Sequence, residues 1–414
     1  MLFTPSGRPR ARALGIPFDG EPGPLNAITD VPGVEVGYVT LVAGDAVRTG
    51  VTAVLPRGRG GIGAACPAGW YSLNGNGEMT GTTWISETGG LSTPVMLTNT
   101  SAVGPVHRGV IDWTRDRRPD LSALWNLPVV AETWDGYLND IHGDHVRARH
   151  AVAAIDAART GAIEEGSVGG GTGMNSFGFK GGSGTASRRV RFAGRTHTVG
   201  AFVQANFGAR EELRIAGVSM GDLAVPDPIG AGDWLLADLA AAGVPIDPGG
   251  RASPAGAGSI IALIATDAPM LPVQCAALAR RVPLGLARTG TTGGHFSGDI
   301  FLAWSTGGAG AAPGTGALDS RMPLGLPGEQ RYESLRFVPW GQIDPFLVAV
   351  VQCVEEAVLN AMVVATAMTG RNGNVSPALP HAQVVDRLRA AGVLAGDRRD
   401  VPAARAARPT DLLS

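Results

Sequence analysis

From Asn26 onward the chain alternates short apolar runs with Gly, Pro, Asn and Asp punctuation. VEVGYVTLV, VRTGVTAVL, STPVMLTNT and LPVVAET each read as a buried or half-buried strand. The first sustained 3–4 spacing of apolar positions, VRARHAVAAIDAARTG (Val146–Gly161), predicts a helix that ends at glycine. A glycine tract follows, GSVGGGTGMNSFGFKGGSGTASRR. Met174, Phe177 and Phe179 interrupt it, which predicts an ordered loop pair close to a site and not a low-complexity linker. THTVGAFVQANFG then reads as a core strand. Residues 209–258 offer one short helical run, DWLLADLAAAG, among Pro, Gly and Ala, so the whole segment is expected to be an exposed linker. SIIALIAT starts abruptly after it as a central strand. PFLVAVVQCVEEAVLNAMVVATAMT is apolar almost all round and is expected as a helix buried on both sides, with Glu355 and Glu356 breaking the pattern. The Arg/Ala/Pro-rich tail from Asp397 is expected to fray. Strand groups alternating with a few apolar helices fit an α/β fold of sheets covered by helices.

Composition narrows the function classes. The 414 residues, 44% hydrophobic and 17% charged, are ample for a large core and far from the disordered corner. Lys+Arg 34 against Asp+Glu 36, with no long basic run, makes nucleic acid an unexpected partner. Lys180 is the only lysine, and because Gly181 and Gly182 follow it a P-loop has no residue to use. The 61 glycines cluster without a G-X-Y period, which indicates many tight backbone passages. Cys66, Cys275 and Cys353 show no paired spacing and are expected to be reduced core residues. With no apolar h-region near the N-terminus and no run of ~18 apolar residues, the expectation is a cytoplasmic protein without a membrane partner.

Three Gly/Ser motifs compete for the chemistry. Gly58-Arg59-Gly60-Gly61-Ile62-Gly63 has the form of a dinucleotide fingerprint, but Pro67 and Gly69 stop the helix such a site needs. Gly217-Val218-Ser219-Met220-Gly221 has the form of a nucleophile elbow, which would place an α/β-hydrolase esterase on Ser219 with Asp267 or Asp299 and His295 or His381. Pro226 and Pro228 break the helix that should follow it. In Ala257-Gly258-Ser259-Ile260, a serine joins a Gly/Pro-rich segment to a core strand, the position a self-processing N-terminal nucleophile would occupy. Glycine before it tolerates strained backbone, and the freed α-amine, with a pKa of roughly 7.7–8, would serve as general base. The local pattern alone leaves these readings open.

Nine ordered segments change that balance: NAITDVPGV (Asn26–Val34), NGNGEMTGTTWISETGGL (Asn74–Leu91), LTNTSAVGPV, AETWDGYLNDIHGDHV, GSVGGGTGM, FKGGSGTASR, TVGAFVQANFG, GSIIALIATDAPMLP and GLARTGTTGGHFSGDIFLAWST (Gly285–Thr306). Together they resemble the DmpA-type L-aminopeptidase/D-Ala-esterase/amidases and β-aminopeptidases. The nylon-oligomer hydrolases are similar but use threonine where this chain has Ser259.

The resemblance implies a four-layer αββα sandwich of the N-terminal nucleophile-like (DmpA/ornithine acetyltransferase) type. It also implies one interleaved structural domain, cut at Gly258–Ser259 into an α chain (1–258) and a β chain (259–414). Ser259 would be both processing and catalytic nucleophile, Asn206 an oxyanion donor, Tyr137 an assisting hydroxyl, and Ser297 with Asp299 the pair that orients the nucleophile. Relatives carry Glu where this chain has the shorter Asp299, and His where it has Tyr38. The substrate would be a small peptide, amide or ester with a free amino terminus, whose ammonium needs a carboxylate: Glu132, or in reserve Asp135. No cofactor is implied, and cleaved αβ units are expected to form a homo-oligomer. A processed scaffold without turnover is the non-enzymatic alternative. His142, His145 and His150 with Asp144 are read as a surface cluster, since a five-residue spacing puts His145 and His150 on different helix faces. Trp84, Trp134 and Trp304 are read as pocket wall or core.

Overall fold

The computed structural model describes residues 1–122, 126–245, 258–308 and 334–394. The expected frayed tail from Asp397 and residues 246–257 of the expected linker lie outside the described residues.

Ten strands form two sheets. β1 (Glu35–Ala43), β2 (Val47–Leu55), β5 (Val95–Asn99) and β6 (Val129–Thr133) make a four-stranded sheet in the order β1-β2-β5-β6. β3 (Cys66–Ser72), β4 (Gly90–Leu91), β7 (Gly182–Phe192), β8 (Arg195–Asn206), β9 (Gly258–Pro269) and β10 (Ser297–Gly307) make the other, ordered β4-β3-β10-β9-β8-β7. The helices of seven or more residues among those described are α1 (Thr82–Thr88), α2 (Val103–Arg117), α3 (Ala148–Asp156), α4 (Asp233–Ala241), α5 (Pro272–Ala279), α6 (Val282–Arg288), α7 (Asp344–Val364) and α8 (His381–Ala390).

Strand alternation sorts side chains into three apolar layers. Val54, Val95, Leu97 and Val129 of the small sheet meet Phe202, Ile261, Leu263, Ile300 and Trp304 of the large one. On the other face of the small sheet, Val51, Ala53, Met96 and Val130 pack under Val106, Val110 and Trp113 of α2 and Ala151 and Ile155 of α3. On the other face of the large sheet, Val203, Ala205, Ile260, Ala262, Ile264 and Phe301 pack under α5 to α8. The layers therefore run α, β, β, α.

α7 is long and apolar enough to cross a membrane by length and hydropathy alone, although Gln352, Glu355, Glu356 and Asn360 interrupt its apolar run. Most of its residues are buried against the chain's own sheet and neighbouring helices, so it is a core helix. Burial would push the Glu356 carboxyl up, but Arg12 and Arg188, each 2.7 Å away, and the Asn26 amide at 2.6 Å reverse this and hold it below its ordinary value.

The expected exposed linker needs correction at its start. Leu213, Ile215, Met220 and Leu223 enter the core beneath α5 to α8 because their apolar surface finds cover there, whereas α4 presents no fully buried residue.

Candidate active site

Ser259 is the second residue of β9, held between two neighbours. It stands opposite Asn206 in the antiparallel β8–β9 pair and beside Gly298 in the parallel β9–β10 pair. Alternation puts Ser259 on the face of Ile261 and Asn206 on the face of Phe202, both turned toward the small sheet. The Ser259 Oγ is buried and has no hydrogen-bond partner among the described residues. A buried unpaired hydroxyl carries a desolvation cost of about 1–3 kcal/mol; Thr93, Ser167, Ser176 and Ser376 share that condition, and what distinguishes Ser259 is its place opposite Asn206 at the head of β9.

Gly258, one residue earlier, passes so close to β8 that an added Cβ would lie 2.1 Å from the Asn206 carbonyl oxygen. No side chain fits there without moving backbone, so the glycine of the expected cleavage site is required by packing as well as by chemistry.

Asn206 is fixed at both ends of its carboxamide. Its Oδ1 accepts from the Asn175 backbone N–H at 2.8 Å, and its Nδ2 donates to the Trp134 carbonyl at 2.9 Å. One Nδ2 hydrogen remains for a developing oxyanion. The Asn175 contact bears out the expectation that the glycine tract is ordered, and it brings the tract against Asn206.

Ser297 and Asp299 are brought together, with the serine hydroxyl donating to Asp299 Oδ1 at 2.6 Å. They share the helix-side face with Phe301, opposite to the face that carries the Ser259 hydroxyl, and neither bonds to that hydroxyl. Ser297 registers with Gly258, so the pair flanks the peptide joining Gly258 to Ser259. The short Asp299 side chain is anchored by Asn74, whose Nδ2 donates to Asp299 Oδ2 at 3.0 Å and whose Oδ1 accepts from the Asp299 backbone N–H at 2.6 Å. Burial pushes the Asp299 carboxyl up, and hydrogen bonds from Ser297, Asn74 and the Ile260 backbone oppose the rise. Asn74 was not singled out from the sequence, although it heads one of the nine segments.

Glu132 lies buried at the end of β6. Its Oε1 accepts from the Glu78 backbone N–H at 3.0 Å and its Oε2 from the Thr100 hydroxyl. Burial raises its pKa, with those hydrogen bonds acting the other way and the Glu78 charge adding to the rise. A Cβ on Gly77 would come within 2.9 Å of Gly298 Cα and 3.4 Å of Glu132 Oε1. A bare glycine backbone thus separates this carboxylate from the strand position beside Ser259.

Asp135 points elsewhere. It is fully enclosed, its Oδ1 accepts from Asn139 at 3.0 Å, and burial pushes its carboxyl up to about 7 against hydrogen bonds from Thr49, Asn139 and Asn99. Tyr137 donates its hydroxyl to the Val375 carbonyl at 3.0 Å, and burial pushes its pKa up to about 12. Its ring meets Trp234 of α4 edge-on at 5.2 Å, and Trp234 in turn packs 5.7 Å from Trp134. Arg371 ties α4 to this wall, bonding Asp238 at 3.1 Å. Trp304 is core, while Trp84 is 38% exposed. Tyr38 donates to the Glu164 carbonyl at 2.9 Å and packs against Phe202, a structural position.

The rival motifs find no supporting geometry. Ser219 sits exposed in a two-residue hairpin strand paired with Arg214–Ile215, and no helix follows it. His381 is engaged with the Val363 carbonyl at 2.9 Å. Residues 59–61 form a 3-10 turn from which no α-helix opens. His145 bonds Asp140 at 3.0 Å, and His150 accepts from the Arg147 backbone at the start of its own helix.

Comparison with known proteins shows the family and the fold. The model of peptidase family S58 matches residues 26–376. Over 384 residues, 91% of each chain, the sequence is 45% identical to the beta-peptidyl aminopeptidase BapA of Sphingosinicella microcystinivorans. The fold superposes on the L-aminopeptidase D-Ala-esterase/amidase of Ochrobactrum anthropi, described as a prototype for the serine aminopeptidases and a new variant among the Ntn hydrolase fold. That match has a TM-score of 0.80 and 40% identity, covering 94% of this chain and 100% of that one. A Burkholderia sp. beta-aminopeptidase gives a TM-score of 0.77 and 41% identity, covering 92% of this chain and 99% of the other.

Proposed function

The chain belongs to peptidase family S58 and is a hydrolase of the aminopeptidase type, and from that membership we propose that Ser259 is the nucleophile of both self-cleavage and turnover. The observation that carries this reading is the buried, unpartnered Ser259 Oγ directly opposite Asn206. In self-cleavage Oγ attacks the Gly258 carbonyl carbon, the C–N bond breaks, and the Ser259 nitrogen takes the proton. The resulting ester is hydrolysed by water to a Gly258 carboxylate and a free Ser259 α-amine.

In turnover that amine accepts the Oγ proton as Oγ attacks the substrate carbonyl. Asn206 Nδ2 donates to the oxyanion, the leaving amine departs with the proton, and water hydrolyses the acyl-enzyme. Ser297 and Asp299, in register beside the Gly258–Ser259 junction, hold the new ammonium in place. Glu132 receives the substrate's own ammonium, and Trp134, Tyr137 and Trp234 wall the pocket.

The substrates are short peptides, amides or esters with a free amino terminus. The name of the 45% identical relative makes β-residues the first class to test. Three buried free cysteines support a reducing, cytoplasmic setting, and assembly of cleaved αβ units rests on the family resemblance. A panel of L-Ala, D-Ala and β-Ala p-nitroanilides with wild type, Ser259→Ala and Ser219→Ala tests the reading. Turnover is expected to vanish only in Ser259→Ala, and activity that survives there but is lost in Ser219→Ala would overturn it.

A further inference from the structure

Lys180, the only lysine of the chain, is wholly buried in a short strand paired with Asn175–Ser176. Its Nζ donates to three backbone carbonyls: Met174 at 2.6 Å, Gly181 at 3.0 Å and Gly171 at 3.5 Å. Three acceptors match the three N–H bonds of an ammonium, whereas a neutral amine would turn its lone pair on one of them. No carboxylate forms an ion pair with it among the described residues, so a costly buried cation is satisfied by backbone dipoles. Burial lowers its pKa to about 7, with the charge of Asp135 acting the other way.

The strongest of these bonds falls on a particular peptide unit. The Met174 carbonyl that accepts from Lys180 belongs to the same peptide group as the Asn175 N–H, and that N–H donates to Asn206 Oδ1 at 2.8 Å. The carbonyl is also held by the Gly181 N–H at 2.9 Å. A positive charge at the carbonyl end draws electron density toward oxygen, makes the N–H a stronger donor, and passes the polarisation to the Asn206 carboxamide.

We propose that Lys180 is a positioning residue for hydrolysis, acting through the Met174–Asn175 peptide to orient and polarise the Asn206 amide that faces the oxyanion. This rests on the oxyanion role given to Asn206 above. A leucine or methionine of similar volume would fill the same space without desolvating a charge but would supply no donor to the Met174, Gly181 and Gly171 carbonyls.

The test is a double-mutant cycle on kcat and KM for an aminoacyl p-nitroanilide, normalised to cleaved protein on a denaturing gel. Asn206→Ala alone is expected to lower kcat roughly 10²–10³-fold. Lys180→Met is expected to lower kcat roughly 10–100-fold, the range seen when partners that orient a functional group are removed, with KM within about twofold. In the Asn206→Ala background it should lower kcat no further. Lys180→Gln, which keeps a neutral donor, should fall between wild type and Lys180→Met.

Wild-type kcat in Asn206→Ala would overturn the oxyanion reading itself. A full loss in Asn206→Ala combined with unchanged kcat in folded Lys180→Met, or with the same factor in both backgrounds, would overturn the positioning role alone. Loss of a cooperative unfolding transition in both Lys180 variants would make Lys180 a fold residue and overturn the proposal too.

Discussion

Asn206 stands opposite Ser259 across the β8–β9 ladder, with its carboxamide clamped between the Asn175 N–H and the Trp134 carbonyl. The proposed nucleophile and oxyanion donor are thus carried by two adjacent central strands, where the ladder fixes their separation. A donor held by two hydrogen bonds before the reaction needs no reorganisation when charge develops, which is the condition under which such groups contribute most.

The Ser297–Asp299 pair predicts a pH limb. Burial raises the Asp299 pKa, so if the ionised carboxylate holds the Ser259 ammonium, kcat/KM should fall on acidification at a pH above the ordinary aspartate range near ~3.9. Asp299→Asn should lower kcat by roughly tenfold or more and abolish that limb. An unchanged limb in Asp299→Asn would assign it to another group. Asn74→Ala should reproduce part of the loss, since it removes the anchor of Asp299.

Glu132→Gln separates recognition from chemistry. With the charge gone, KM for free-amine substrates should rise roughly 30-fold or more, corresponding to ~2–5 kcal/mol for breaking a buried charged pair, while an N-acetyl control stays poorly turned over. Equal turnover of N-acetyl-Ala and Ala p-nitroanilides by wild type would remove Glu132 from the ammonium site.

Gly258→Ala is expected to stall processing. The added Cβ meets the Asn206 carbonyl at 2.1 Å, which forces β8 and β9 apart at a cost of about 1–3 kcal/mol and displaces the scissile carbonyl. A persistent uncut fraction on denaturing gels is the expected result, and wild-type cleavage would show that the junction relaxes freely.

The Glu356 cluster predicts how stability depends on acid. Its folded pKa is held below the unfolded value, so its contribution is fully present above pH ~4.5 and is lost as pH falls through the folded pKa. Glu356→Ala, which strands Arg188 with no paired charge, should cost ~3–5 kcal/mol, measurable by urea unfolding at pH 7. Wild type should lose part of that difference on acidification.

Much of this site was legible in the sequence, for identifiable reasons. Gly258-Ser259 announced itself as a composition break before an apolar strand, and the ordered segments carried Asn206, Ser297, Asp299 and Glu132 with them. A layered α/β fold followed from strand runs and apolar helices, and its four-layer order from the resemblance. Less legible were contacts made by backbone: the Asn175 N–H, the Trp134 carbonyl and the Glu78 N–H carry no side-chain signature. Residues 209–223 read as linker because the Pro/Gly-rich stretch that follows them, from Pro226, set the character of the whole segment, whereas four apolar side chains, Leu213, Ile215, Met220 and Leu223, sufficed to draw them into the core. Lys180 was visible as a solitary lysine, but its partners are three carbonyls that only the fold assembles.

The state of the Gly258–Ser259 bond in purified protein tests the central claim most directly. Intact mass and N-terminal sequencing of wild type should give two polypeptides, residues 1–258 and 259–414, the second beginning Ser-Ile-Ile, with Ser259→Ala remaining one chain. A single uncut polypeptide that nonetheless hydrolyses aminoacyl p-nitroanilides would contradict the account.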